Sequence, residues 1–255
     1  MAPIILPILF GIIGLALAIG VFSLKRKRRA VRTAGLEQLA KQLGLTFSAD
    51  DSYGLGKQLQ HFDLFERERS RWRHGGKVTN VLRGQVGETL VWMFDYTYLV
   101  STGKTTKEVR QTVFFADDKN WYLPNFKLKP EGWWQKVLTK IGAAKDIDFP
   151  ENPDFSDRFW VTGGFESLIR KQFSPELQQL LTERPPVHLE GSNYYLIAYK
   201  PGKSLEGDAA RIFFEHCCQL TQKLRDKEAQ DLLDLADLKE PIPIPATLGS
   251  VKNLR

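Results

Sequence analysis

Residues 3–24, PIILPILFGIIGLALAIGVFSL, contain no charged side chain, and Lys25-Arg26-Lys27-Arg28-Arg29 follows at once. A helix needs about 20 apolar residues to cross the roughly 30 Å hydrocarbon core of a bilayer, and this run supplies them. A buried helix in a water-soluble domain is usually shorter and carries a polar face. Pro3 and Pro7 stand at the start, where missing amide donors cost least. The pattern predicts a transmembrane helix over residues 1–24 and a basic juxtamembrane segment over 25–33. The competing reading is a cleaved signal peptide, since Ala16-Leu17-Ala18 resembles a cleavage site. Such peptides carry their positive charge before the apolar run, and here it comes after.

Charge asymmetry sets the expected orientation. Only the terminal amine is positive before the span, whereas Lys25, Arg26, Lys27, Arg28, Arg29 and Arg32 follow it. Cations are retained on the cytoplasmic side, which predicts a single-pass protein of the cell membrane with its N-terminus out and its main domain cytoplasmic. Gly14 with Ala18, and Ala16 with Gly20, have small-xxx-small spacing that lets two such helices approach closely, so a homodimer through the membrane is an expectation.

The chain has 36 Lys+Arg and 30 Asp+Glu, a net charge of +6. Residues 25–32 hold six of those cations and no acid, so the rest of the chain is formally neutral. That composition argues against nucleic acid as a partner, which would need a basic patch on the domain itself. It favours anionic lipid headgroups, at about 1 kcal/mol per cation near the surface. Six Trp, sixteen Phe and seven Tyr argue for a packed core. Cys217 and Cys218 are adjacent and have no distant partner, as expected in a reducing compartment.

Residues 30–43 place Val31, Leu36, Leu39, Ala40 and Leu43 at helical spacing, with Gly44 as the stop. Leu45 to Phe47 opens a strand, and Asp50 or Asp51 caps a brief helix reaching Leu59. Phe62–Phe65, Val78–Arg83, Thr89–Leu99 and Val109–Phe115 read as strands, closely enough spaced for an antiparallel meander. Leu123–Phe126 reads as an interruption, and Pro130 as the start of a helix carrying Trp133, Trp134, Val137, Leu138 and Ile141. Residues 146–157 form an acidic loop. Phe159–Val161 reads as a strand, Phe165–Phe173 as a helix, and Ser174-Pro175 as the cap and first turn of another. Val187–Glu190 and Asn193–Tyr199 form a hairpin about Gly191-Ser192. A helix from about Leu205 to Lys227 packs Ala209, Ile212, Phe213, Leu220 and Leu224. The whole predicts an α+β fold: an N-terminal transmembrane helix, then a mainly antiparallel sheet with packed helices. The cytosolic domain spans 34–227, with a split into two subdomains near 130–150 as the alternative to one unit. An acidic helix extension and a Pro-rich tail occupy 228–255.

FDYTY (94–98), LPNFKLKPE (123–131), DIDFPENPDFSDRFWVTGGFESLIRKQF (146–173) and LEGSNYYLIAYKPGK (189–203) resemble a family of bacterial membrane-anchored proteins. The resemblance covers about residues 34–226. It implies one N-terminal span and a cytosolic α+β domain, and it brings no established activity or catalytic residues.

Candidate chemistry is sparse. Asp146, Asp148 and Glu151 in the acidic loop offer oxygen ligands for a hard cation, but the glycine and alternating acids of an EF-hand are missing. His216, Cys217 and Cys218 are soft-metal ligands, yet neighbours on a helix diverge by about 100° and do not converge on one ion. One cysteine is expected in the core and the other nearer the surface. No nucleophile elbow, zinc-protease, phosphate-loop or dinucleotide motif occurs, and no cofactor is implied. Arg71, Trp72 and Arg73, in a charged connection, suit a headgroup contact alongside residues 25–29 and Arg32. Pro241-Ile242-Pro243-Ile244-Pro245 suits docking in an aromatic groove on a protein partner. The resulting expectation is a non-enzymatic, membrane-tethered interaction module. A metal-dependent sensor or enzyme using the loop at 146–157 is the alternative.

Overall fold

Val91-Trp92-Met93-Phe94, Val113-Phe114-Phe115-Ala116 and Leu196-Ile197-Ala198-Tyr199 are apolar at every position, as strands buried on both faces must be. The computed structural model describes residues 2–65, 76–101, 105–131 and 146–237, of which 2–14, 16, 18, 101 and 226–237 are described by backbone alone. In it, alternate residues of these stretches enter two cores on opposite faces of one sheet. Val91, Met93, Phe114, Ala116, Leu196 and Ala198 join the larger core. Trp92, Phe94, Val113, Phe115, Ile197 and Tyr199 join the smaller.

The fold is α+β. Among the described residues its eight strands are β1 (Thr46–Asp50), β2 (Lys77–Val86), β3 (Thr89–Ser101), β4 (Thr106–Asp117), β5 (Leu123–Pro130), β6 (Phe159–Gly163), β7 (His188–Asn193) and β8 (Tyr195–Tyr199). They form one sheet in the order β1-β2-β3-β4-β8-β7-β5-β6. Every neighbouring pair is antiparallel. The helices among the described residues are α1 (Ala2–Gln42), α2 (Leu55–Gln58), α3 (Pro153–Arg158), α4 (Glu166–Gln172), α5 (Pro175–Glu183) and α6 (Gly207–Asp237). The inner end of α1, with α3 to α6, covers the face of the larger core. α2 and the turns after it cover the other face over the middle strands, burying Leu55, Leu59, Phe62, Leu64 and Phe65.

Several local expectations change. Phe62–Phe65 is not a strand: Phe62 lies in a bend and residues 63–65 begin a helical turn, with the Phe65 N–H donating to the Phe62 carbonyl at 2.9 Å. A strand would send Phe65 to the opposite side from Phe62 and Leu64, whereas the turn buries all three. Leu123–Phe126 belongs to β5, because the register shift between Leu123 and Phe126 accommodates Pro124, which has no amide to donate. Residues 153–158 of the acidic loop are helical, capped by the Asn152 side chain on the Phe155 N–H. The β7–β8 turn lies at Asn193-Tyr194, with Asn193 at φ 55°, and Gly191 is inside its strand. α6 buries Ala210, Phe213, Phe214, Cys217, Leu220 and Leu224, whereas Ile212 and Ala209 face outward. The expected helix over 130–141 beyond Glu131, the segment 66–75 and the tail from 238 lie outside the described residues.

α1 is a single helix of 41 residues. At 1.5 Å per residue it is about 60 Å long. Among the described residues no helix is long and apolar enough to cross a membrane. The side chains of 2–14, 16 and 18, on which the expected span and its small-residue pairs rest, lie outside that description.

Candidate functional site: the root of the N-terminal helix

The inward stripe of α1 is Arg32, Leu36, Leu39 and Ala40, with Leu43 partly buried. Val31, expected on this stripe, is instead exposed. Arg32 is therefore corrected from a surface cation to an interior one: its side chain is 4% exposed and that of its partner Asp95 is 1%. The reason is helical phase, because 32, 36, 39 and 40 fall on one face. The helix ends in a Schellman motif. Gly44, at φ 68°, donates to the Lys41 carbonyl, and Leu45 donates to that of Ala40.

All five N–H groups of the Arg32 guanidinium are used. Nε donates to Asp95 Oδ2 at 2.7 Å, and Nη2 to Asp95 Oδ1 at 2.5 Å and Thr112 Oγ1 at 3.2 Å. Nη1 donates to the Leu205 carbonyl and to Glu206 Oε1, each at 3.1 Å. Burial pulls the Arg32 pKa down, but Asp95 and Glu206 outweigh it and the net direction is up. Asp95 also accepts from Asn80 Nδ2 at 2.9 Å, and Asn80 Oδ1 accepts from Thr33 Oγ1 at 2.9 Å. A register shift between Thr79 and Leu82, with Asn80 at φ 52°, aims this amide at the helix. The network ties α1, β2, β3, β4 and the start of α6 together at one point.

Beside it opens a cleft of about 400 Å³ between α1 and the ends of β2, β3 and β4. Lys77 pairs with Thr97, and Thr97 with Arg110, so these three form one row across the sheet. Asp95, two residues from Thr97, puts the row on the helix-covered side. α1 brings Arg29 and Thr33 to the same cleft. Glu108 joins two of the cations: Arg29 Nη2 reaches its carboxylate at 3.2 and 3.3 Å, and Arg110 Nη2 at 3.4 Å. Arg110 Nε also donates to Thr97 Oγ1 at 3.1 Å.

A second cleft of about 450 Å³ lies on the opposite face. Thr162, Lys127, Glu190 and Ile197 form a row across β6, β5, β7 and β8. Glu190 is 3% exposed, and accepts from the Tyr199 hydroxyl and the Asp63 N–H, each at 2.8 Å. Burial raises its pKa. Lys127 pairs with Asp63 at 2.6 Å.

The other expected sites fall apart in space or chemistry. Asp146 accepts from the Val161 N–H at 3.0 Å, and burial raises its pKa. The Asp148 and Glu151 side chains are exposed, and Arg170 donates to the Asp148 carbonyl rather than to its carboxylate. Among the described residues no three His, Cys, Asp or Glu side chains converge to hold a metal. Cys217 is buried and Cys218 partly so. Burial pushes Cys217 well up and Cys218 up to about 12, which keeps both as thiols. Burial, with Arg184 and Lys200 nearby, lowers His216 to about 4. Lys25, Arg26, Lys27, Arg28 and Arg29 are exposed along α1. Arg71, Trp72 and Arg73 lie outside the described residues. Sequence reasoning missed Asp95, Asn80, Glu108 and Arg110. Of these only Asp95 gave a signal, as an acid inside an otherwise apolar strand.

No family model matches the chain, and no curated protein matches it. Among solved structures it is similar to the mycobacterial trehalose monomycolate transport factor A, TtfA. The two are 15% identical, with 83% of this chain and 97% of that chain covered, at a TM-score of 0.43.

Proposed function

We propose that the chain is a membrane-tethered, non-enzymatic interaction module, held by residues 3–24 with its α+β domain at an anionic cytoplasmic leaflet. The observation that carries this reading is the outer half of α1. Leu15, Leu17, Ile19, Val21, Phe22 and Leu24 are each between 52 and 69% exposed. At about 100° per residue these positions fall on two opposite sides of the helix, and Gly20 and Ser23, on the arc between, are exposed and uncharged. A helix that is apolar all round belongs in a protein interior or a bilayer, and among the described residues these side chains are left exposed. The sequence extends the same character back to Pro3 and ends it at Lys25.

Because α1 continues unbroken into the Arg32 network, the tether is a rigid mount rather than a flexible leash. With Leu24 at the hydrocarbon edge, Arg29 stands about 7.5 Å beyond it along the helix. Each interfacial layer is about 5–8 Å thick, so the basic run lies among the headgroups.

The test is alkaline carbonate extraction of native membranes, followed by protease treatment of right-side-out and inverted vesicles. The expected result is retention in the membrane, with the domain digested only in inverted vesicles. Release by carbonate would sink the tether, and digestion from the outer face would reverse the orientation. Neutralising Lys25–Arg29 is expected to disturb topology or lipid binding.

A further inference from the structure

The cleft at the root of α1 is built for an anion. We infer that it binds the phosphate of an anionic phospholipid headgroup, seated between Lys77 and Arg110 over the Thr97 hydroxyl, with Glu108 as the internal group it displaces. This rests on the membrane-tethered reading for the source of the phosphate, but the site itself stands on the geometry of the cleft.

Strands lie about 4.8 Å apart, so Lys77 and Arg110, on either side of Thr97, have backbones about 10 Å apart. That spacing lets two long cationic side chains converge on one tetrahedral anion. The Thr97 hydroxyl lies between them, and Arg29 and Thr33 close the cleft from the helix. Among the described residues lining the cleft, three cations face a single carboxylate, Glu108; the charge of Arg32 is already answered by Asp95 and Glu206.

The bonds of Glu108 to Arg29 and Arg110, at 3.2 to 3.4 Å, are long against the usual 2.7–2.9 Å of charge-assisted pairs. Its side chain is 47% exposed and that of Arg29 is 57%. Pairs this open contribute little to stability, so exchanging the carboxylate for a phosphate costs little. Arginine can hold phosphate through two parallel N–H bonds, and Lys77 adds a point charge. The cavity, about 400 Å³, lies within the ordinary size range of small-ligand sites. Its entrance is flanked by Arg29, one helical turn from Lys25, so a lipid need not leave the bilayer for its headgroup to enter. The exposed run Lys25–Arg28 gathers anionic lipid without selecting a headgroup, and the cleft adds the one seat with fixed geometry.

The experiment is native mass spectrometry of the full chain in mild detergent, titrated with phosphatidylglycerol or phosphatidylcholine. The unaltered chain is expected to retain one phosphatidylglycerol at least tenfold more strongly than phosphatidylcholine. Lys77→Gln with Arg110→Gln, which leaves residues 25–29 intact, is expected to lose tenfold or more of that affinity. Lys77→Gln alone gives a smaller loss and guards against misfolding, with a thermal melt as control. Glu108→Gln is expected to tighten binding several-fold. Equal retention by the double variant and the unaltered chain would overturn the site. Inorganic phosphate that binds as tightly as the lipid and expels it would overturn the lipid as its source. A chain that leaves the membrane on carbonate extraction yet still shows the Lys77 and Arg110 dependence would fail the tether while upholding the cleft.

Discussion

Two buried carboxylates, Asp95 and Glu190, sit on opposite faces of the same sheet and are neutralised in opposite ways. Asp95 meets a guanidinium in bidentate contact, with an amide as third donor. Glu190 meets a phenol and a backbone amide, both neutral, while its nearest cation, Lys127, is paired with Asp63. The comparison teaches that burial alone does not decide the charge of an acid; the partner does. At the root of α1 the charges are held as a permanent joint. In the second cleft, burial biases Glu190 toward holding its proton.

The largest effect expected is that of Arg32→Met. It strands Asp95 in the interior and should cost about 3–5 kcal/mol, the penalty for breaking a buried pair from one side. Urea denaturation in detergent measures it, and adding Asp95→Asn should recover much of the loss. A cost below 1 kcal/mol would erase the distinction between the two acids.

Next comes Gly191→Ala, which tests the strand that carries Glu190. Gly163, Phe126, Gly191 and Leu196 form one row on the helix-covered face. A Cβ on Gly191 would fall 2.2 Å from the Phe126 ring, which packs edge-on against Phe173 with centroids 5.0 Å apart. The ring has little room to yield, so a loss of about 1–3 kcal/mol is expected in thermal melts.

Glu190→Gln should show itself as a slope. Burial holds the folded pKa of Glu190 above the ordinary glutamate value, so between the two the folded state holds more protons than the unfolded. Stability from this group is therefore greatest at low pH and falls as pH rises through that window. The variant should flatten this part of the pH–stability curve; an unchanged curve would mean that burial does not shift the titration of Glu190. Smallest is Arg29→Gln, at the open rim of the first region. Losing its exposed pair with Glu108 should cost under about 1 kcal/mol, and less in high salt.

The antiparallel meander was legible because three apolar stretches of strand length stand close together. The helix from Ser174 was legible because its cap is spelled out: the Ser174 hydroxyl accepts from the Leu177 N–H. What escaped was phase. Val31 looked like the next apolar position above Leu36, but the sheet offered Asp95 at that height, and Arg32 took the inward place. In α6 the expected stripe held at Phe213, Leu220 and Leu224, while Ala209 and Ile212, expected inside, face outward. Apolar residues are dense enough on both helices that several stripes are nearly equivalent, and only the tertiary partner chooses among them. The cleft was less legible still. Lys77, Thr97 and Arg110 are far apart in sequence, and their row exists only once the β2–β3–β4 register is set.

The unbroken run of α1 from Ala2 to Gln42 also makes the domain a rotor on a keyed shaft. One residue added between Leu24 and Arg29 would lift the domain by only about 1.5 Å, but would turn it by about 100° about the helix axis. Three or four added residues would complete roughly one revolution and restore the heading, about 5 Å further out. Whatever grips residues 3–24 therefore fixes the compass bearing of the sheet. If the proposed tether holds, a neighbour embedded in the same bilayer would meet one edge of the domain and no other.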